Sequence, residues 1–101
     1  MARHTEAMER VAEAILKTPG DADPELRRAV EAVAGGREAD LPDDLRPYVE
    51  KVARNAYKVV DADIDRLRDA GYSEDAIFEL TLAAALGAAR SRLDAGLGAM
   101  E

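Results

Sequence analysis

Asp61, Asp63 and Asp65 form a D-x-D-x-D run, the arrangement that opens a calcium-binding loop. Such a loop also needs glycine at its sixth position and a bidentate glutamate at its twelfth. Arg66 and Tyr72 stand there instead. The plainer reading is acidic residues in a helix's first turn, where the macrodipole favours them. His4 is the chain's one histidine. So near a terminus a histidine is ordinarily solvated, and no second histidine or cysteine exists to share a metal with it. Serine-based catalysis would have to bring His4 to Ser73 or Ser91. Ser73 has an ordinary role as a helix cap, and Ser91 as a helix surface residue. The lack of cysteine removes disulfides, zinc–thiolate sites, iron–sulfur clusters and a thiol nucleophile together. No metal site and no cofactor site are expected.

The elements that would position these groups are all helical, and residues 1–101 read as one all-α domain, a bundle of about five helices. Residues 1–36 form an N-terminal helical pair, 37–46 a polar loop, and 47–101 the core. Thr5 caps a first helix whose stripe is Met8, Val11, Ala12, Ile15 and Leu16, stopped by Thr18-Pro19-Gly20. Asp23 before Pro24 opens a second with Leu26, Val30 and Val33 on its face, and Gly35-Gly36 ends it. A third begins near Pro47 and carries Val49, Val52, Ala53 and Ala56. Asp61 caps a fourth with Ile64, Leu67 and Ala70 along one side, and Gly71 terminates it. Ser73 caps the last helix, which is nearly all apolar from Ala76 to Ala89. A helix apolar on most of its circumference is buried on most of it, as core, as subunit interface or as both. Small residues at Ala84, Gly87, Ala88 and Ser91 recur at spacings of three and four, which lets another helix approach closely. That partner helix belongs either to the same chain or to an oligomer seam.

With 21 acidic and 14 basic residues the net charge is −7, which argues against nucleic acid or an anionic membrane as partner. The outline around Gly71 resembles a DNA-binding helix–turn–helix, but a recognition helix offers polar and basic side chains to base edges. Glu74, Asp75, Ile77, Phe78, Glu79 and Leu80 offer acidic and apolar ones. Glu6, Glu9 and Glu13 interrupt what would be the apolar stretch of a signal peptide. No apolar run reaches the roughly 18 residues of a membrane span. A cytoplasmic protein is expected.

Leu67-Arg68-Asp69-Ala70-Gly71, then Asp75-Ala76-Ile77-Phe78-Glu79 and LTLAAALGAA, carry a specific resemblance. Over about 40 residues, Ala56 to Ala95, the chain resembles the alkylhydroperoxidase D / carboxymuconolactone decarboxylase superfamily. Its domains have a C-x-x-C-x-x-x-H motif, a helix ending in L-R-x-x-G, and an Ala- and Gly-rich helix opening E-x-[IV]-F-E. The resemblance implies an AhpD-like helical fold and a homo-oligomer, commonly dimer, trimer or hexamer. It places the two cysteines at Ala56 and Val59, the histidine at Asp63, and the acidic residue of the proton relay near Asp44. Alanine and valine cannot supply the thiolate that attacks a peroxide or the thiol that resolves it. A catalytically degenerate member is therefore expected, an oligomeric structural or partner-binding subunit with Ala84, Gly87, Ala88 and Ser91 in its interface. No peroxidase turnover is expected. The alternative is a cysteine-independent enzyme or small-molecule binder in the family cleft, with Asp63 as acid or base and Tyr57 and Lys58 beside it. An aspartate has an ordinary pKa near 3.9 and needs burial or a charged neighbour to work near pH 7. A buried, concave Asp63 would favour the alternative; a solvated one, the structural subunit.

Overall fold

Two left-handed glycines and two polar N-caps, Asp23 and Ser73, mark helix ends along the chain. A computed structural model describes the backbone of residues 2–100 and the side chains of residues 6–100. Among these the elements are α1 (Ala2–Lys17), α2 (Pro24–Ala34), α3 (Arg46–Asn55), a 3₁₀ turn (Ala56–Lys58), α4 (Asp61–Asp69) and α5 (Glu74–Met100). The Asp23 carboxylate accepts the Glu25 N–H at 2.9 Å, with Pro24 in the first turn of α2. Ser73 Oγ accepts the Ala76 N–H at 3.0 Å at the start of α5 and donates to Asp21 at 3.0 Å. Thr5 lies inside α1, which is already helical from Ala2, and not at its N-cap position. The cap of α4 also differs from expectation. Val60 holds the N-cap position, and Asp63, three residues on, accepts its N–H at 2.9 Å.

α2 and α4 both end on a left-handed glycine. Gly36 (φ 86°) and Gly71 (φ 103°) take the conformation that side chains resist. The N–H of Arg37 then reaches Ala32 O at 2.9 Å, and that of Tyr72 reaches Leu67 O at 3.1 Å. These bonds satisfy the carbonyls each helix end leaves orphaned.

α5 packs along α2 and against α3, with α1 and α4 completing one bundle. At the α-helical rise its 27 residues run about 40 Å, and the molecule's longest extent is 45 Å. The core collects Val30 and Ala34 from α2, Tyr48 and Val49 from α3, Leu67 from α4, and Ile77, Leu80, Ala83, Ala84 and Leu86 from α5. The loop over 37–46 is less polar in effect than in composition. Leu41 and Leu45 turn inward and are buried.

The stripe of α2 is rotated by one position from the expected one. Arg27, Val30, Glu31 and Ala34 are buried, whereas Leu26 and Val33 are half-buried. The charges tolerate this because both are bonded. Arg27 donates to Ile15 O and Thr18 O at 2.8 and 2.5 Å. Glu31 accepts from Arg37, and from Arg90 at 3.1 Å.

The small residues of α5 have their partner within the chain. Ala84, Gly87 and Ala88 are buried, and Gly87 lies against Glu31 and Ala34 of α2. Only Ser91 of the four expected interface residues is exposed. The close approach they permit is therefore the α2–α5 crossing, not a surface left for another subunit.

Candidate functional site

Asp63 is buried, at 7% exposure, which corrects the simpler expectation of a solvated first-turn acid. It lies where α4 meets α3, and Lys51 of α3 donates to its two oxygens at 2.8 and 3.0 Å. One of those oxygens also takes the Val60 N–H, and Arg66 stands 3.8 Å from the other. The bond from Lys51, then the backbone bond from Val60, hold the Asp63 carboxyl below its usual range, against the opposing effect of burial. A carboxylate so occupied is a poor base near neutral pH, where a pKa near 7 serves best. Its work is to start α4 and tie it to α3.

Beside this pair lies an open cleft of about 360 Å³, bounded by Asp44, Pro47, Tyr48, Lys51, Arg66 and Leu67 among others. Thr81 donates its own proton to Ile77 O at 2.6 Å, so Tyr48, 2.7 Å away, donates to Thr81. Tyr72 donates to Asp44 at 2.9 Å. Burial, and then that bond, push the Tyr72 hydroxyl up to about 12, so it keeps its proton. Asp44 lines the same cleft as Asp63.

Tyr57 and Lys58 do not join it. Both sit exposed on the 3₁₀ turn, with the Lys58 ammonium 5.9 Å from the Tyr57 ring centre. The neighbour of Asp63 is Lys51, twelve residues upstream, a pairing with no local signature. Asp61 and Asp65 are exposed, and Asp65 pairs with Arg68 at 2.9 Å. Among the described residues no three His, Cys, Asp or Glu side chains group to hold a metal. The His4 side chain lies outside the described residues.

A second carboxylate missed in sequence is Glu79 of α5. It accepts the Ala22 and Asp21 N–H groups at 2.8 and 3.1 Å, fastening the α1–α2 turn. The backbone bond from Ala22 is the chief cause that holds its carboxyl below the usual range. Both Asp63 and Glu79 thus have folded pKa values below their unfolded ones. The stability they add is complete above the unfolded values, near 4, and is lost as pH falls through the folded values. Denaturation midpoints are therefore expected to fall steeply below about pH 4. The Asp63→Asn/Glu79→Gln double variant should be less stable at pH 7 and show a shallower acid slope. An acid slope equal to that of the unmodified chain would refute these assignments.

Comparison with known proteins adds no relative: no family model, no curated protein and no solved structure matches this chain.

Proposed function

We propose that this chain is a non-catalytic assembly subunit, an AhpD-like helical domain without the family's thiols, which associates with copies of itself in the cytoplasm. The observation that carries the reading is the outer face of α5. Phe78 is 64% exposed, Leu82 37%, Leu93 37% and Met100 79%, with exposed Ala85 and Ala89 between them. Exposed apolar side chains aligned on one face commonly mark a protein–protein contact. Among the described residues no helix is long and apolar enough to cross a membrane, and the net charge of −7 opposes an anionic lipid surface. Another protein surface is the fitting cover. The self-association comes from the outer face and not from Ala84, Gly87 and Ala88, which are already buried within the chain.

Light scattering tests it. At tens of micromolar the unmodified chain is expected at a multiple of its 10.9 kDa mass. Leu82→Glu should bring it to the single-chain mass with its helicity unchanged, because Leu82 is outside the core. A single-chain mass for the unmodified protein would overturn the proposal.

One observation favours a second reading, small-molecule binding without turnover: Asp63 is buried at a concave site, not solvated. In that reading Lys51 and Arg66 present charge to a ligand seated over Tyr48 and Leu67. Ligand-observed NMR with a fragment set would support it if Lys51→Met, but not Leu82→Glu, abolished the hits. No hits from the unmodified chain would count against it.

A further inference from the structure

We propose that the cleft where α2 and α3 end against α5 binds a small molecule carrying two negative charges on oxygen, a phosphate monoester or a dicarboxylate. The cleft holds about 380 Å³ and is bounded by Arg37, Arg54 and Arg92 against one carboxylate, Glu50. That is a local excess of positive charge in a chain whose net charge is −7. A cavity of this size admits a metabolite-sized ligand. It shares no residue with the cleft beside Asp63, and the binding it implies stands whether or not the chain pairs with itself.

The three arginines are not equally committed. Arg37 is paired with Glu31. Arg92 donates to Ala53 O at 2.7 Å, which answers the end of α3 and uses one of its five N–H groups. The negative end of a helix attracts a cation, and Arg92 already fills that place. Arg54, in the last turn of the same helix, makes no hydrogen bond among the described residues. Arg54 and Arg92 thus bring two charges to one cleft, and among the described residues neither has a carboxylate within 4 Å. Two like charges on one cleft repel. An anion seated between them turns that repulsion into two attractions.

The donors select the ligand. A guanidinium presents its N–H groups as a planar fork that matches carboxylate or phosphate oxygens two at a time. Two forks suit two negative charges. Ser91, on the α5 side, adds a hydroxyl that bonds nothing among the described residues and can donate to a further oxygen. The overall charge selects size. At −7 the chain repels nucleic acid and anionic lipid surfaces. A small anion inside the cleft, with distant charges screened beyond about 10 Å, answers mainly to the arginines beside it. Glu50, one turn before Arg54 on α3, is half-buried and weakens this field without cancelling it.

NMR titration of the full chain with inorganic phosphate and, separately, with succinate tests the site, at ionic strength held constant with sodium chloride. Saturable shifts are expected for the Nε–H signals of Arg54 and Arg92 and for the Ser91 amide, with affinity in the millimolar range. Arg54→Met should weaken binding about tenfold, the loss of one charge-assisted hydrogen bond. It should leave the melting temperature unchanged, because Arg54 holds nothing else in the fold. Glu50→Gln should tighten binding, an effect that a purely structural role for these residues does not produce. Saturation by phosphate alone would identify a phosphate ester as the ligand, and saturation by succinate alone a dicarboxylate. No saturable shift with either probe, equal affinity in Arg54→Met, or no gain in Glu50→Gln would overturn the proposal.

Discussion

Gly87→Ala is expected to lower the melting temperature by about 10 °C, in a helix where alanine would ordinarily stabilise. Alanine gains about 1 kcal/mol over glycine in a helix interior. At this position a Cβ would overlap the Glu31 carbonyl oxygen outright. It would also stand 3.0 Å from the Glu31 carbonyl carbon and 3.1 Å from Ala34 Cβ. These atoms are backbone and a short side chain of α2, so no rotamer change can make room. The contact is tight from the other side too, since a Cβ at Gly35 would lie 3.2 Å from Gly87 O. α2 cannot easily back away. Arg27 ties it to α1, and Glu31 is held by Arg37 and by Arg90, which also bonds Glu9 at 2.9 Å. Overpacking of a tight core costs typically 1–3 kcal/mol and sometimes more. The upper part of that range exceeds the propensity gain by about 2 kcal/mol, and for a domain of this size each kcal/mol moves the midpoint about 4–8 °C. A melt followed by circular dichroism decides it. A midpoint equal to or above that of the unmodified chain would mean that α2 and α5 do not cross at Gly87. Gly96, nine residues on and open to solvent, supplies the contrast.

The helix count, the caps at Asp23 and Ser73 and the glycine stop at Gly71 were legible in the sequence because each is a local device. Its physics is complete within four or five residues. The burial of Arg27, Glu31 and Asp63 was not. Each is charged, yet each occupies a buried position with its charge answered from another element: the carbonyls at the end of α1 for Arg27, Arg90 of α5 for Glu31, Lys51 of α3 for Asp63. For Arg27 and Glu31 a signal existed, since with Val30 and Ala34 they follow the three- and four-residue spacing of one helix face. Apolar residues alone drew the stripe to Leu26 and Val33 instead. For Asp63 the deciding partner is twelve residues away, and local spacing carries no information about it. The small residues of α5 permit a close approach, as their spacing suggests. Which helix approaches is a tertiary fact, and α2 takes that place. The outer face, on which Phe78, Leu82 and Leu93 are exposed, becomes visible only once the inner face is known.

Arg27→Met is expected to be the most damaging change to a charged residue, because one guanidinium finishes α1. That helix ends at Lys17 with no left-handed glycine to turn its last carbonyls inward. Arg27, 1% exposed, donates to Ile15 O and Thr18 O and closes the end from α2. Glu79 grips the same turn from α5 by two backbone N–H groups, and its carboxylate is lowered partly by the Arg27 charge. Methionine keeps much of the volume and loses both bonds. Charge-assisted hydrogen bonds contribute about 1.5–3 kcal/mol each when a partner is removed. Arg27 Nε is buried without a partner, and relief of that cost offsets part of the loss. A net cost of about 2–4 kcal/mol remains, on the order of 10–20 °C in the midpoint. The damage should be local first. In native-state hydrogen exchange, amides of α1 are expected to lose protection ahead of those in α2 and α5, since among its described side chains Ala12 and Leu16 are the buried ones. Arg27→Lys, able to reach one carbonyl, should fall between. In a double-mutant cycle with Glu79→Gln the double variant should lose less than the sum of the two single losses, because both release one turn. Full additivity, or α1 protection unchanged in Arg27→Met, would show that α1 is held by its apolar stripe alone.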